Sequence, residues 1–248
     1  FIITSGILVS ASNTSNYAIT NPNTWPTGVF VKLTIESGAI VAGRGGKGGD
    51  GIFFSDNDLN NPAPATNGEN GGNGILANYA ISINNQGYIA GGSAGSGAGG
   101  SVLAFDQSLI NFVFVGGGAG SGGWPLGGAG IGAKAVNMTS GVWTIRNGNN
   151  GNSATSNINN IVTTVFGGLQ GNGVALSNGM FLIAGDGGDT NLTFANGQTG
   201  DVAQVLNPQA GILYFIFAPS VGGTRGDAIH GNNLITWENT GTIYGTIV

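Results

Sequence analysis

Glycine tracts with a three-residue period constrain this chain more than any other feature. Glycine supplies 50 of 248 residues. In Gly43-Arg44-Gly45-Gly46-Lys47-Gly48-Gly49-Asp50-Gly51 the only side chains stand at 44, 47 and 50. Asn67-Gly68-Glu69-Asn70-Gly71-Gly72-Asn73-Gly74 keeps Gly68, Gly71 and Gly74 in step. A polyproline II helix has three residues per turn, so every third residue shares one face. Glycine faces let neighbouring backbones approach closely. A flexible linker needs no such period, so the tracts predict packed structure.

The tracts alternate with apolar, β-branched and aromatic runs, and 40% of residues are hydrophobic. Disordered chains are poor in those residues, so the chain reads as folded. Few prolines and no strict collagen repeat exclude a collagen triple helix. Charged residues make up 7%, against roughly 25% in average usage. Net charge is −5, and six basic residues spread along the chain cannot neutralise a nucleic-acid backbone. With no cysteine, disulfides and thiolate metal sites are absent. The longest apolar run, Gly211 to Ala218, is strand-sized and far short of a membrane span, so no membrane insertion is expected. A start at Phe1 with no Met and no signal-peptide pattern suggests a fragment or a processed chain.

Helix signals are nearly missing, since glycine costs about 1 kcal/mol per helical position. Short strands are expected at Ile7–Ser10, Val29–Ile35, Ile81–Ile83, Phe112–Val115, Val142–Ile145, Val162–Phe166, Met180–Ile183, Asn191–Phe194, Ile212–Phe217 and Leu234–Trp237. Ile83-Asn-Asn-Gln-Gly87-Tyr-Ile89-Ala-Gly91 matches Trp237-Glu-Asn-Thr-Gly241-Thr-Ile243-Tyr-Gly245. Ile35 to Gly43 repeats the motif with one residue fewer before its glycine. A second element recurs at Gly74–Ala77, Gly132–Val136, Gly173–Leu176 and Gly226–Ile229. No such unit can bury its own apolar face, so the units must stack. The fold class expected is mostly β, with short strands and polyproline II-like glycine tracts, extended or layered, and little or no α-helix. Residues 1–140 and 141–248 read as two regions or one continuous domain.

These motifs resemble the C-terminal glycine-rich tip of the central tail fibre of siphophages, the tip-attachment proteins of lambda-like phages. Val31 to Gly51 resembles their entry into the first glycine-rich segment. Gly226-Asp-Ala-Ile-His-Gly-Asn-Asn-Leu-Ile-Thr-Trp237-Glu-Asn-Thr-Gly241-Thr-Ile-Tyr-Gly245 resembles their closing sequence. The resemblance covers residues 29–100 and 222–248 and the middle only in style. It implies an extracellular virion protein, a receptor-binding adhesin that is often trimeric, on a layered glycine scaffold with receptor-touching loops. The partners implied are a host cell-surface receptor, an outer-membrane protein or a glycan, and other virion proteins. A spike or capsid component without adhesive function and a polysaccharide-degrading spike are the competing readings.

Chemistry-bearing motifs are sparse. His230 is the single histidine, so a Ser-His-Asp triad would have to use it, and no metal centre can be built on histidines. Asp56, Asp58, Asp186, Asp189 and Asp201 fall in turn-like sequence, where Asp serves backbone hydrogen bonding. Gly185–Leu192 is a single copy of a calcium-binding pattern that needs adjacent copies. Lys47 is followed by glycine and no helix, which rejects a phosphate loop. Neither catalysis, cofactor nor metal is expected. Arg225-Gly226-Asp227 falls inside the recurring Gly-x-Ala-Ile element.

The receptor-binding candidates are the places where glycine stops. The insert 52–64 carries Phe53, Phe54, Asp56 and Asp58, with Asp, Asn and Pro content that predicts a loop. Trp124-Pro125-Leu126 interrupts the tract from Gly116 to Gly132; its Trp124 and Leu126 are either a core plug or a binding loop. Phe105 opens a further loop candidate, 105–108, and 147–160 is another.

Overall fold

The computed structural model describes residues 1–248 except 23, 27, 55–61, 107–110, 137–141, 155–166, 177–178 and 191–193. Two stacked architectures make up the chain. The strand motifs leading to Gly43, Gly91 and Gly245, with Gly74–Ala77 and Gly226–Ile229, form the first; Gly132–Val136 and Gly173–Leu176 instead carry strands of the glycine-tract region. Ile2–Ile3, Val31–Ile35, Ile81–Asn85 and Ile235–Asn239 lie side by side as one parallel sheet. Leu8–Ser10, Ile40–Ala42, Tyr88–Ala90 and Thr242–Tyr244 form a second. Ile19–Thr20, Ile75–Leu76 and Ile229–His230 form a third, which Ile247 extends by a bridge to Ile229. The chain visits the three sheets in rotation, so it winds as a three-sided parallel solenoid. Parallel strands need a crossover, and each coil supplies one.

Each side inserts apolar residues into a shared interior. Ile35, Ile83, Ile89 and Ile229 are fully buried there, with Leu33, Val41, Ile75 and Ile81. Each such side chain contributes about 1.5–3 kcal/mol of burial. The two matching motifs face one another, since Ile83 opposes Trp237 and Ile89 opposes Ile243. In the third copy the register pairs Leu33, not Ile35, with Ile83, and Val41 with Ile89. The turn at residues 36–39 is two residues longer than its neighbour at 86–87 and absorbs the difference.

Two long excursions leave this solenoid between its second and third sides, at residues 43–74 and 91–228. They hold the glycine tracts. Tract 43–51 shows how the period works. Gly43, Gly46 and Gly49 donate N–H bonds to Ala90, Ser93 and Ser96 at 3.0, 2.9 and 2.7 Å. Gly45, Gly48 and Gly51 donate to Pro125, Gly128 and Ile131 at 2.6, 2.9 and 2.8 Å. Arg44, Lys47 and Asp50 take the remaining face. The sequence period is therefore the hydrogen-bond period.

The described residues contain ten such tracts, and their bonds define a lattice. Tract 91–100 bonds to six neighbours: 43–51, 66–74, 116–123, 184–190, 196–203 and 218–226. Tract 116–123 bonds to 43–51, 91–100, 127–133, 147–154, 167–173 and 184–190. Two fully surrounded tracts with eight around them make three layers of three, four and three. Tracts from before and after residue 140 interleave throughout. A Cβ built on Gly118 would lie 1.7 Å from the carbonyl oxygen of Gly168, so only glycine fits that contact.

Position in the lattice sets composition. The two surrounded tracts have every residue buried and carry nothing larger than Ala or Ser. Two of their three buried hydroxyls, Ser96 and Ser121, meet Thr190 Oγ1 at 3.0 and 2.9 Å, while among the described residues Ser93 Oγ has no partner. Outer tracts leave one face open, and there side chains reach across to satisfy neighbouring backbone. Asn67, Asn70 and Asn73 Oδ1 accept from the N–H groups of Val221, Thr224 and Asp227 at 3.2, 2.9 and 2.8 Å. Asn147, Asn150 and Ser153 do the same for Ala135, Gly132 and Ala129. Asn67, Asn70, Asn73, Asn147 and Asn150 thus serve the outer tracts.

Most expected strands form, including Ile212–Phe217 with unchanged bounds. Val162–Phe166 and residues 191–193 lie outside the described residues. Among the described residues the helical element is one 3-10 turn, Asn232–Leu234. None of their helices is long and apolar enough to cross a membrane.

Candidate functional site

The tracts run back and forth between two ends of unlike character. At the solenoid end two aromatic rings are buried. Trp124 is 1% exposed and stacks edge-on against Phe194, with ring centroids 5.3 Å apart. Phe194 lies against Tyr244, which stacks on Tyr88 of the solenoid. Ile40, Ala42 and Ala90 complete this cluster. Trp124 is thus a core plug joining lattice to solenoid, and a receptor cannot touch its ring. Leu126 is half-buried beside it and has a positive φ of 63° in the turn that follows the cis Trp124–Pro125 bond.

At the far end, strands close the tracts. Val142–Arg146, Asn111–Val115, Ser101–Asp106 and Ile212–Phe217 form a four-stranded sheet in that order. Val174–Ala175, Phe181–Ile183 and Gln204–Leu206 form a smaller one. Between them lie Val102, Ala104, Val115, Met180, Leu182 and Ala203. Phe54 is 1% exposed and anchors the other face of the larger sheet, edge-on to Phe114 and Phe217 at 5.3 and 5.5 Å. It is interior, not a receptor contact, because its strand pairs with Lys134–Ala135 and turns the ring inward. Phe53 points the other way and is half-exposed. Lys134 Nζ sits 5.5 Å from its ring centroid, and its backbone pairs with Ala63 in both directions at 3.0 and 2.9 Å. Asp56 and Asp58 lie outside the described residues.

Phe105 is half-buried at the end of a strand, 5.8 Å from both Phe112 and Phe215. Those contacts lead to the site that sequence reasoning missed. Leu213, Tyr214, Phe215 and Ile216 are 49, 40, 55 and 49% exposed, on the edge strand of the sheet. Leu206 is also exposed. The available signal was a six-residue apolar run with no polar alternation, bracketed by Pro208 and Pro219. Such a run predicts a strand without saying what its faces meet. Of the candidates, Phe53 and Phe105 present surface at this end, while Phe54 supports it from within.

The remaining polar groups serve the scaffold. His230 Nε2 bonds Asp227 Oδ2 at 2.8 Å and its Nδ1 bonds the Tyr17 hydroxyl at 3.1 Å, tying the first coil to the third. Asp186 and Asp189 accept from the N–H groups of Gln170 and Gly167 at 2.7 and 2.8 Å. Both line a polar groove of about 570 Å³ with Asn149, Asn150, Gln198 and Asp201. Among the described residues, no group of three or more His, Asp or Glu side chains stands close enough to hold a metal ion. On the solenoid, the Lys32 ammonium and the Ser82 hydroxyl, each 2.6 Å from Glu238, hold its carboxyl below the usual range.

A family model described as phage tail fibre adhesin Gp38 matches residues 1–248. It bears out the tail-fibre adhesin resemblance drawn from the two ends of the sequence and extends it over the whole chain. No curated protein sequence matches. Among solved structures, the chain is similar to the gp37-gp38 adhesin tip complex of the long tail fiber of bacteriophage S16. That similarity runs at 23% identity over 98% of this chain and 72% of the other, with a TM-score of 0.41.

Proposed function

The chain belongs to the Gp38 family of phage tail fibre adhesins, and from that premise we propose that it binds a host cell-surface receptor through the strand-and-loop end of its tract lattice. Binding is adhesion without bond-making. The single observation that carries this reading is the asymmetry of the two ends. Beside the solenoid Trp124 and Phe194 are buried, whereas the far end exposes Leu213, Tyr214, Phe215 and Ile216 in one contiguous strand. Soluble proteins seldom leave such patches uncovered unless they bind something. The lattice holds that end still, so little conformational entropy is lost on contact. Several copies on one particle would add avidity.

The opposite end of the solenoid suits attachment to another virion protein. Phe1, Ile2 and Phe30 are 78, 67 and 74% exposed there. An apolar cavity of about 520 Å³ opens among Ile3, Val9, Ile19, Trp25 and Leu33. Purified protein should compete with phage particles for adsorption to sensitive cells. No inhibition at saturating protein refutes the receptor reading. Release of reducing sugar from host surface polysaccharide would instead make the protein a depolymerase.

A further inference from the structure

Among the described residues, strand Ile212–Phe217 is an open sheet edge. It pairs with Ser101–Asp106 through six register positions without a bulge. On its other side no described residue hydrogen-bonds to the backbone of 213–217. In an antiparallel strand, alternate residues turn their N–H and C=O groups outward. Edge strands are ordinarily guarded by Lys, Pro, bulges or short length, because an open edge recruits another strand. This edge is six residues long, with no charge and no proline. Its apolar side chains stand on both faces. Register places Leu213 and Phe215 with Phe105 and Leu103, and Tyr214 and Ile216 with Ala104 and Val102.

We propose that the edge Ile212–Phe217 receives an extended polypeptide segment of the receptor as a fifth strand. This rests on the receptor-binding reading and narrows its partner to a protein. An outward row of alternating backbone donors and acceptors is matched by another polypeptide backbone, at about 4.8 Å lateral spacing. A glycan has no such row. Sugar recognition also calls for polar side chains, and this edge offers only apolar ones apart from the Tyr214 hydroxyl. Apolar surface on both faces requires a segment with apolar side chains at successive positions. Backbone bonds would supply affinity, and the shelf of Phe105, Leu213 and Phe215 would supply choice. Pairing with a second copy of this chain would use up the receptor-facing end itself, which is why the occupant is assigned to the receptor.

The test uses the purified full chain, with outer-membrane vesicles from a strain that the labelled protein binds. Hydrogen exchange at residues 212–217 should slow by about tenfold or more with these vesicles, and not with vesicles from an adsorption-resistant strain. Leu213→Lys/Phe215→Lys should reduce cell labelling by about 30-fold, the effect of losing a hot spot. Leu169→Lys, at a 64% exposed site on the lattice flank, should leave labelling unchanged. Vesicle binding with unaltered exchange at 212–217 overturns strand addition even if the double variant fails to fold. So does labelling that survives protease shaving of the cells but is lost on periodate oxidation of surface sugars. A wild-type dimer that Phe215→Lys turns into a monomer assigns the edge to a second copy and overturns it too. Wild-type protein that labels no sensitive cells refutes the receptor reading, and this proposal with it.

Discussion

Replacing Gly120 by Ala places one methyl group between two tracts of the middle layer. Its Cβ would stand 1.9 Å from the carbonyl oxygen of Ser96 and 2.5 Å from the carbonyl carbon, both backbone atoms. Ordinary contact begins at 3.4 Å, so tract 91–100 must retreat by about 1.5 Å. That movement carries three bonds between the tracts out of range: Ser93 to Trp124 at 2.8 Å, Ser96 to Ser121 at 3.0 Å and Gly99 to Gly118 at 2.8 Å. At about 1 kcal/mol each they cost roughly 3 kcal/mol. Overfilling a close-packed interior adds roughly 1–3 kcal/mol. The reduced entropy of the unfolded chain returns only about 0.4–1 kcal/mol. At about 2–4 °C per kcal/mol for a chain of this length, the melting temperature should fall by roughly 10 °C or more. Gly128→Ala is the matched control, because its nearest neighbour is the side-chain Lys47 Cγ at 3.7 Å. It receives the same entropic gain with no clash and should melt at or slightly above wild type. Circular dichroism or calorimetry on the three proteins reads the difference. A Gly120→Ala protein that melts within about 3 °C of Gly128→Ala would refute the claim that backbone contact is what requires glycine.

Three further outcomes follow from other contacts. Asn70→Ala leaves the Thr224 N–H to solvent and should cost about 0.5–1 kcal/mol, with the Asn67, Asn70 and Asn73 triple change close to additive in denaturant titration. Trp124→Ala empties the junction between lattice and solenoid and should cost about 3–5 kcal/mol in the same titration. If a Trp124→Ala protein kept its stability and lost only adsorption, the ring would belong to a binding loop after all. The Glu238 carboxyl is held below its ordinary value of 4.5, so its contribution is present above that pH and is lost as pH falls through the lowered folded value. Melting curves from about pH 6 to about pH 3 should therefore drop less steeply for Glu238→Gln than for wild type.

Much of this fold was legible in local sequence, because glycine period and strand pattern are local properties. The period at 44, 47 and 50 marked a tract with one open face, and the strand ends at Ile83–Gly91 and Trp237–Gly245 marked neighbours in a stack. The solenoid as a whole was not legible. Its second and third coils are interrupted by excursions at residues 43–74 and 91–228, so no continuous repeat appears in the chain. The distinction between surrounded and peripheral tracts was present but not drawn. Ser93–Gly100 carries nothing larger than Ala or Ser because all its faces are covered, whereas Asn67, Asn70 and Asn73 mark an open edge. At the candidate site, an interruption in glycine marks where a ring stands but does not say which way it points. Trp124 and Phe54 turned inward for different reasons: one packs on Phe194 at the junction with the solenoid, the other is steered by strand pairing.

The lattice also explains why variation and constraint can coexist in one adhesin. A surrounded tract has neighbours on all its faces, so a substitution there meets backbone that cannot yield without moving a second tract. An outer tract has one free face in three and tolerates any side chain that still reaches its neighbour's N–H. The strands that close the tracts at the far end pack their buried faces on lattice residues such as Ala133, Ala184 and Ala203. Their exposed side chains lie outside those contacts and are free to change. Selection for a new receptor would then act on residues such as Phe53, Phe105, Leu213 and Phe215, whose replacement leaves the tract contacts untouched. A set of random substitutions selected for adsorption to a new host should therefore accumulate in the far-end strands and turns and be absent from 91–100 and 116–123. Host-range variants carrying their causal change inside either surrounded tract would show that the lattice is not the fixed element this reasoning makes it.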